Sequence, residues 1–242
     1  MTETKNIRES LGCGVAAAVQ ATRGMGRVML SVSDRGATHE RIGVVDAVTV
    51  DPDAVHLAGN AHDARIDLGI VVGVVADRSG RMKDKVLPRL EFQDASGTTL
   101  FSIIGLDGIE PFDRALEAVG AGAPLPEKER PAPPAAGGNA PAEVPADDIG
   151  AQPLHVAKDR GEPIGIVYRG NGLEQRWTGT VAEVRPAMGF INIIQPDFHL
   201  HLKAGAVARW RSEAGDGGTA LHAEDAEGRP LGLVLSGSAA LA

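Results

Sequence analysis

Aromatic side chains are scarce in this chain: phenylalanine, tyrosine and tryptophan together make up 3% of its 242 residues. An interface built on base stacking, such as a single-strand nucleic-acid platform, needs more of them. Basic charge is thin as well. Lys and Arg number 24 against 32 Asp and Glu, for a net charge of −8, and the cations are scattered rather than gathered in a stripe. This lacks the usual footprint of a nucleic-acid binder, and no basic run would hold the chain on an anionic membrane. One cysteine, Cys13, cannot form an internal disulfide, which fits a reducing compartment. The residues before it (Thr4, Lys5, Asn6, Arg8, Glu9) are polar and charged, so Leu11-Gly12-Cys13-Gly14 has no apolar signal core in front of it. No run approaches the roughly 20 apolar residues of a membrane span. Also missing are Gly-x-x-x-x-Gly-Lys, Cys-x-x-Cys and His-Glu-x-x-His, so phosphate loops and familiar zinc sites have no support. The expectation is a cytoplasmic protein with no nucleic-acid partner and no membrane insertion.

What is present is glycine, 31 residues of it, and an internal repeat. Residues 90–100 match 221–231, pairing Leu90 with Leu221, Asp94 with Asp225, Gly97 with Gly228 and Leu100 with Leu231. Residues 63–68 match 197–202, and residues 38–48 match 174–184. The three matches are collinear and their offset drifts only slightly, as a few lost loop residues would cause. The chain is therefore two diverged copies of one unit.

Each copy reads as strands. Phe198, Leu200 and Leu202 alternate with His199, His201 and Lys203, the period of a half-buried strand. Ile66, Leu68 and Ile70 alternate in the same way with Arg65, Asp67 and Gly69. The apolar runs Ile70–Ala76 and Ala204–Ala208 read as further strands. Asp94-Ala-Ser-Gly97 and Asp225-Ala-Glu-Gly228 predict hairpin turns, with Asp bonding the turn backbone and Gly supplying a positive φ. Helices are few. One is expected after Pro111, with Phe112, Leu116 and Val119 on one face and Gly120 as its stop; a weaker candidate runs from Ile7 through Leu11 and Val15 to Val19. Eight of the 15 prolines fall between Pro124 and Pro153, the composition of an extended connector. This gives a mostly β (α+β) fold of two tandem antiparallel halves: a first half at 1–118, a Pro/Ala/Gly-rich linker at 119–155 and a second half at 156–242.

Histidine supplies the candidate chemistry: His39, His56, His62, His155, His199, His201 and His222. His199 and His201 lie two apart on a strand and share a face; they are a candidate ligand pair, set against a reading as solvated polar positions. Arg65 and Asp67 occupy the matching face of the other copy. His39 sits between Thr38 and Glu40, where a surface histidine paired with a carboxylate is the alternative. Trp177 and Trp210 read as core anchors before ligand platforms.

The repeated motifs resemble the cytoplasmic haem-utilisation and hemin-degrading proteins of the HmuS/ChuS/HemS type, which are built from two similar halves. Their first half carries T-R-N-x-x-A-V-H-E-x-x-G, I-D-L-R and S-L-x-F-F-D-x-x-G; here Ser33–Gly43, Ile66-Asp67-Leu68-Gly69 and Leu90–Gly97 correspond. Their second half carries Q-I-H-T-G, then F-N-V-L-D-P-G-F-N-L-H-L, a Trp, and S-L-E-L-F-D-x-x-G. The counterparts are Gln175–Gly179, Phe190–Leu202, Trp210 and Leu221–Gly228, and the stretch ending in His201-Leu202 is the most specific. The resemblance covers residues 27–105 and 160–236.

The resemblance implies large antiparallel sheets related by pseudo-twofold symmetry, with haem as ligand between the halves, handled by trafficking, storage or degradation. It implies His39 and His201 as iron ligands with His199 adjacent, and Arg65 and Lys203 as partners for the propionates. A haem-donor protein or a second copy of the chain is the macromolecular partner that such a role calls for. The chain also departs from the family: Gly69 stands for the motif Arg, Trp177 for the motif His, and the Pro/Ala linker for the helical segment that carries the family's axial histidine, with His155 the nearest histidine. Oxidative degradation further requires an open iron face and an electron donor, which no motif marks. The second reading is a duplicated β scaffold that has lost haem and acts as a binding or interaction module, as the low aromatic content suggests.

Overall fold

The computed structural model describes residues 6–128, 143–215, 218–237 and 241; residues 129–142 of the expected linker lie outside these. In chain order the first copy contains β1 (Arg8–Ser10), α1 (Val15–Ala21), β2 (Arg27–Asp34), β3 (Ala37–Val44), β4 (Ala47–Val50), β5 (Ala54–Ala58), β6 (Asp63–Asp67) and β7 (Gly73–Asp77). It continues with β8 (Arg81–Met82), β9 (Lys85–Val86), β10 (Arg89–Gln93), β11 (Thr99–Gly105), α2 (Ile109–Leu116) and β12 (Ala123–Pro124). The second contains α3 (Gln152–Arg160), β13 (Ile164–Gly170), β14 (Leu173–Gly179), β15 (Arg185–Ala187) and β16 (Phe190–Gln195). It ends with β17 (Phe198–Lys203), β18 (Arg209–Gly215), β19 (Gly218–Glu224) and β20 (Pro230–Gly237). The mostly β, antiparallel class expected from the sequence is what is observed.

The duplication is visible at the level of single hydrogen bonds. In the turn after β10, Asp94 Oδ1 accepts from the backbone N–H groups of Ser96 and Thr98, both at 2.9 Å. In the turn after β19, Asp225 Oδ1 accepts from Glu227 and Arg229 N–H at 3.0 and 2.8 Å. Gly97 and Gly228 carry φ of +81° and +76°, the left-handed position only glycine takes at low cost. Both hairpins also shift register at the same place, next to Phe92 in one copy and Ala223 in the other.

The chain forms two compact units. The first comprises Met1–Val32, Arg41–Pro131 and Asn171–Leu173; the second comprises Ser33–Glu40, Ala132–Gly170 and Glu174–Ala242. The tip of the β2–β3 hairpin, from the first copy, thus belongs to the second unit, and the β13–β14 turn belongs to the first. In the first unit the strands run β12-β1-β7-β10-β11-β2, and β6-β5-β4 form a separate ladder. Its core gathers Leu30, Leu90, Ile103 and Phe112, with Phe92 and Phe101 stacked at 4.8 Å. In the second unit the start of β3 is followed by β17-β16-β15, and β18-β19-β20-β13-β14 form the larger sheet. One cluster of buried side chains joins Ile166, Trp177, Ile193, Phe198, Leu200, Leu221 and Leu233.

Four local expectations require correction. Residues 8–10 are a strand, not the start of a helix: Arg8 lies between the carboxylates of Asp77 and Glu91 at 3.3 and 3.1 Å, and α1 begins only after Gly14. The run Ile70–Ala76 enters β7 only at Gly73, leaving Ile70 and Val72 exposed. Ala204–Ala208 is not a strand but the turn that ends β17, closed by Ala206 N–H to Lys203 O at 3.0 Å with Gly205 at φ +73°. Lastly, α3 occupies the end of the expected linker. Pro153 sits in its first turn, where the missing N–H costs nothing, and Gly161 closes it in the left-handed conformation. The helix after Pro111 stands as expected, burying Phe112 and Leu116, with Gly120 beyond it at φ +80°. Among the described residues no helix is long and apolar enough to cross a membrane.

Candidate functional site

On β17 the alternation holds: Phe198, Leu200 and Leu202 are buried in the second unit's core, and His199, His201 and Lys203 face the other way. Glu40, at the start of β3, reaches the same patch. What brings β3 there is the turn Asp34-Arg35-Gly36-Ala37, with φ of +46° at Arg35 and +88° at Gly36. Lys203 N–H donates to Gly36 O at 2.7 Å, and a Cβ at Gly36 would stand 2.9 Å from that of Ala206. The glycine lets the turn lie against the end of β17.

Glu40, His199 and His201 each offer a donor atom, and these atoms all lie within 4.8 Å of one another. His199 Nδ1–H donates to Glu40 Oε2 at 3.2 Å, and His201 Nε2 stands 3.9 Å from the same oxygen. His201 Nδ1–H donates to Asn192 Oδ1 at 2.6 Å. The Asn192 amide is itself fixed, its Nδ2 donating to Arg185 O, Ala187 O and Phe190 O at 3.1, 3.4 and 3.0 Å. The proton of His201 is thereby assigned to Nδ1, and the Nε2 lone pair faces the carboxylate. Burial holds the His201 imidazole below its ordinary pKa; Glu40 pulls the other way and His199 adds to the lowering. The cluster is half-buried, the side chains of His199 and His201 being 26% and 30% exposed.

The surrounding face is mixed. Cross-strand pairing sets Ile194 beside His199, Asn192 beside His201 and Phe190 beside Lys203. Ile194 is 58% exposed, and Phe190 and Met188 are exposed as well. Lys203 has no ion-pair partner among the described residues and lines an open groove of about 380 Å³ with Arg35, Asp225 and Arg229.

The remaining sequence candidates lie elsewhere. His39 is fully buried: Gln175 Nε2 donates to its Nδ1 at 2.8 Å, and its Nε2–H donates to Ile166 O at 3.1 Å. Phe198 packs edge-on at 4.9 Å. Both ring nitrogens are thus engaged inside the core, and none faces a ligand. Arg65 belongs to the other unit, on β6, paired with Asp53 at 3.0 Å and Asp67 at 3.6 Å. Of the five named candidates, the structure brings together His199, His201 and Lys203. Trp177 is a core residue stacked on Phe198, and Trp210 donates to Ile149 O. Sequence reasoning missed Glu40 and Asn192. For Glu40 a signal existed: with Ala37, His39 and Arg41 buried on one face of β3, period two sends Thr38 and Glu40 to the other.

An antiparallel β fold similar to this one is found among solved structures. ChuS, an Escherichia coli haem oxygenase, superposes with a TM-score of 0.73 at 19% identity, over 97% of this chain and 84% of that one. Apo-PhuS, a haem-binding protein from Pseudomonas aeruginosa, superposes with a TM-score of 0.74 at 19% identity, over 96% of this chain and 82% of that one. At this identity the likeness establishes the fold. No protein-family model and no curated protein matches the sequence.

Proposed function

We propose that the chain is a haem-binding protein of cytoplasmic haem handling, with the outward face of β16 and β17 as its haem face. The observation that supports this most is the pairing of His199 with Glu40. An imidazole that ligates a metal through one nitrogen ordinarily donates its other N–H to a carboxylate, which fixes the ring and raises its basicity. Here Nδ1–H of His199 is so engaged, and Nε2 has no hydrogen-bond partner among the described residues. Exposed Ile194 and Phe190 provide an apolar surface for the macrocycle, and Lys203 a cation for a propionate. The fold shared with a haem oxygenase and a haem-binding protein agrees with this reading. His39 is then a packing residue, and Arg65 has no part in this face. Bound haem would supply an iron centre for carriage or oxygen chemistry; a donor protein or a second copy of the chain is the partner that would deliver it.

Hemin titration of the purified chain tests the reading. A saturable Soret shift at one equivalent is expected, and His199→Ala should abolish it while Lys203→Ala weakens it. If no saturable shift appears, haem is not the ligand, and the duplicated scaffold is a binding module of another kind. A biliverdin-like product formed with ascorbate in the presence of catalase would then distinguish a degrading enzyme from a carrier.

A further inference from the structure

Beyond the haem reading, we propose that Glu40, His199 and His201, when no haem occupies this face, form a binding site for one divalent transition-metal ion of the zinc, cobalt, nickel or ferrous kind. A haem iron accepts protein ligands only along its axis, so three donors converging on one point are more than it can use. Three donors facing one ion are what a free metal needs. Ligands at about 2.1 Å from such an ion stand about 3.4 Å apart at tetrahedral angles. The separations of the two imidazole nitrogens from Glu40 Oε2, 3.2 and 3.9 Å, bracket that value, and all three donor atoms lie within 4.8 Å of one another. Two imidazoles with one carboxylate suit borderline transition ions rather than magnesium or calcium, which favour all-oxygen shells. Three protein ligands also leave room for water or a small anion.

An independent observation supports the site. His201 presents a lone pair on Nε2 because Asn192, anchored by three backbone carbonyls, holds the proton on Nδ1. Outer partners of this kind are part of built metal sites. His199 would use Nδ1, the nitrogen now bonded to Glu40, its single ring proton moving to Nε2. The other close imidazole–carboxylate pairs, His222 with Glu213 and His56 with Asp51, offer two donors each and no third among the described residues.

The test uses tag-free full-length protein, stripped with a chelator and titrated with Co²⁺ alone. The expected result is a visible cobalt spectrum that saturates at one equivalent and is bleached by Zn²⁺. Glu40→Gln and His201→Gln, each checked for unchanged circular dichroism and Tm, should weaken binding at least ten-fold. Asn192→Ala, which leaves all three donors in place, should weaken it about 10- to 100-fold, and His222→Gln should leave it unchanged. If no saturable spectrum appears, or if both donor variants bind as the parent does, the proposal is overturned. Hemin plays no part in these measurements, so the metal site and the haem reading can fail separately.

Discussion

His39 and His199 show how one residue type is assigned opposite tasks by strand parity and burial. His39 donates and accepts inside the second unit's core, so replacing it removes packing volume and two ring hydrogen bonds, although the Gln175 amide keeps its bond to the backbone carbonyl of residue 39. His39→Ala should lower stability by about 3 kcal/mol, the range for truncating a large buried side chain that also loses hydrogen bonds. At a temperature where the variant is folded, it should bind hemin and cobalt like the parent. Denaturant unfolding followed by the two titrations checks both halves of this expectation, and loss of ligand binding in a folded variant would return His39 to the site. The His199 side chain is about a quarter exposed and should behave in the reverse way, with stability kept and binding lost.

At the scale of elements, the paired turns after β10 and β19 allow a controlled comparison within one chain. A Cβ at Gly97 or Gly228 would meet nothing within 4 Å, so alanine there brings backbone strain without a clash. Gly97→Ala and Gly228→Ala should each cost about 1–2 kcal/mol, and the two should be equal within error if the turns are true copies. Thermal melts of the two variants measure this. These turns were legible in the sequence because Asp and Gly act over four residues, and β17 was legible because its alternation is uninterrupted. The end of β17 was not. Ala204–Ala208 is apolar but turns, because Gly205 adopts a left-handed conformation and Gly150 and Gly205 both donate backbone N–H groups to Asp148, 2.8 Å to each of its oxygens. Helix α3 was hidden because proline suits both a linker and a first helical turn. The site itself was half legible: parity placed His199 and His201 on one face, but nothing local to residue 40 announces a neighbour 159 positions away.

For the molecule as a whole, the division into units does not follow the division into copies. The second unit includes Ser33–Glu40 from the first copy, and with it the carboxylate of the proposed site. A fragment of residues 143–242 should therefore neither unfold cooperatively nor bind cobalt, whereas mixing it with residues 1–128 should restore both. Independent folding and cobalt binding by the short fragment would show that the borrowed hairpin is dispensable. The same feature sets a timetable for biosynthesis. Ribosomes add roughly 5–20 residues per second, so Glu40 emerges about 10–30 seconds before the histidines it is to meet. Throughout that interval the hairpin tip has no seat, and the β2–β3 edge carries unpaired backbone groups of the kind that invite wrong pairing. The seat of the hairpin tip is complete only once β17 has been made.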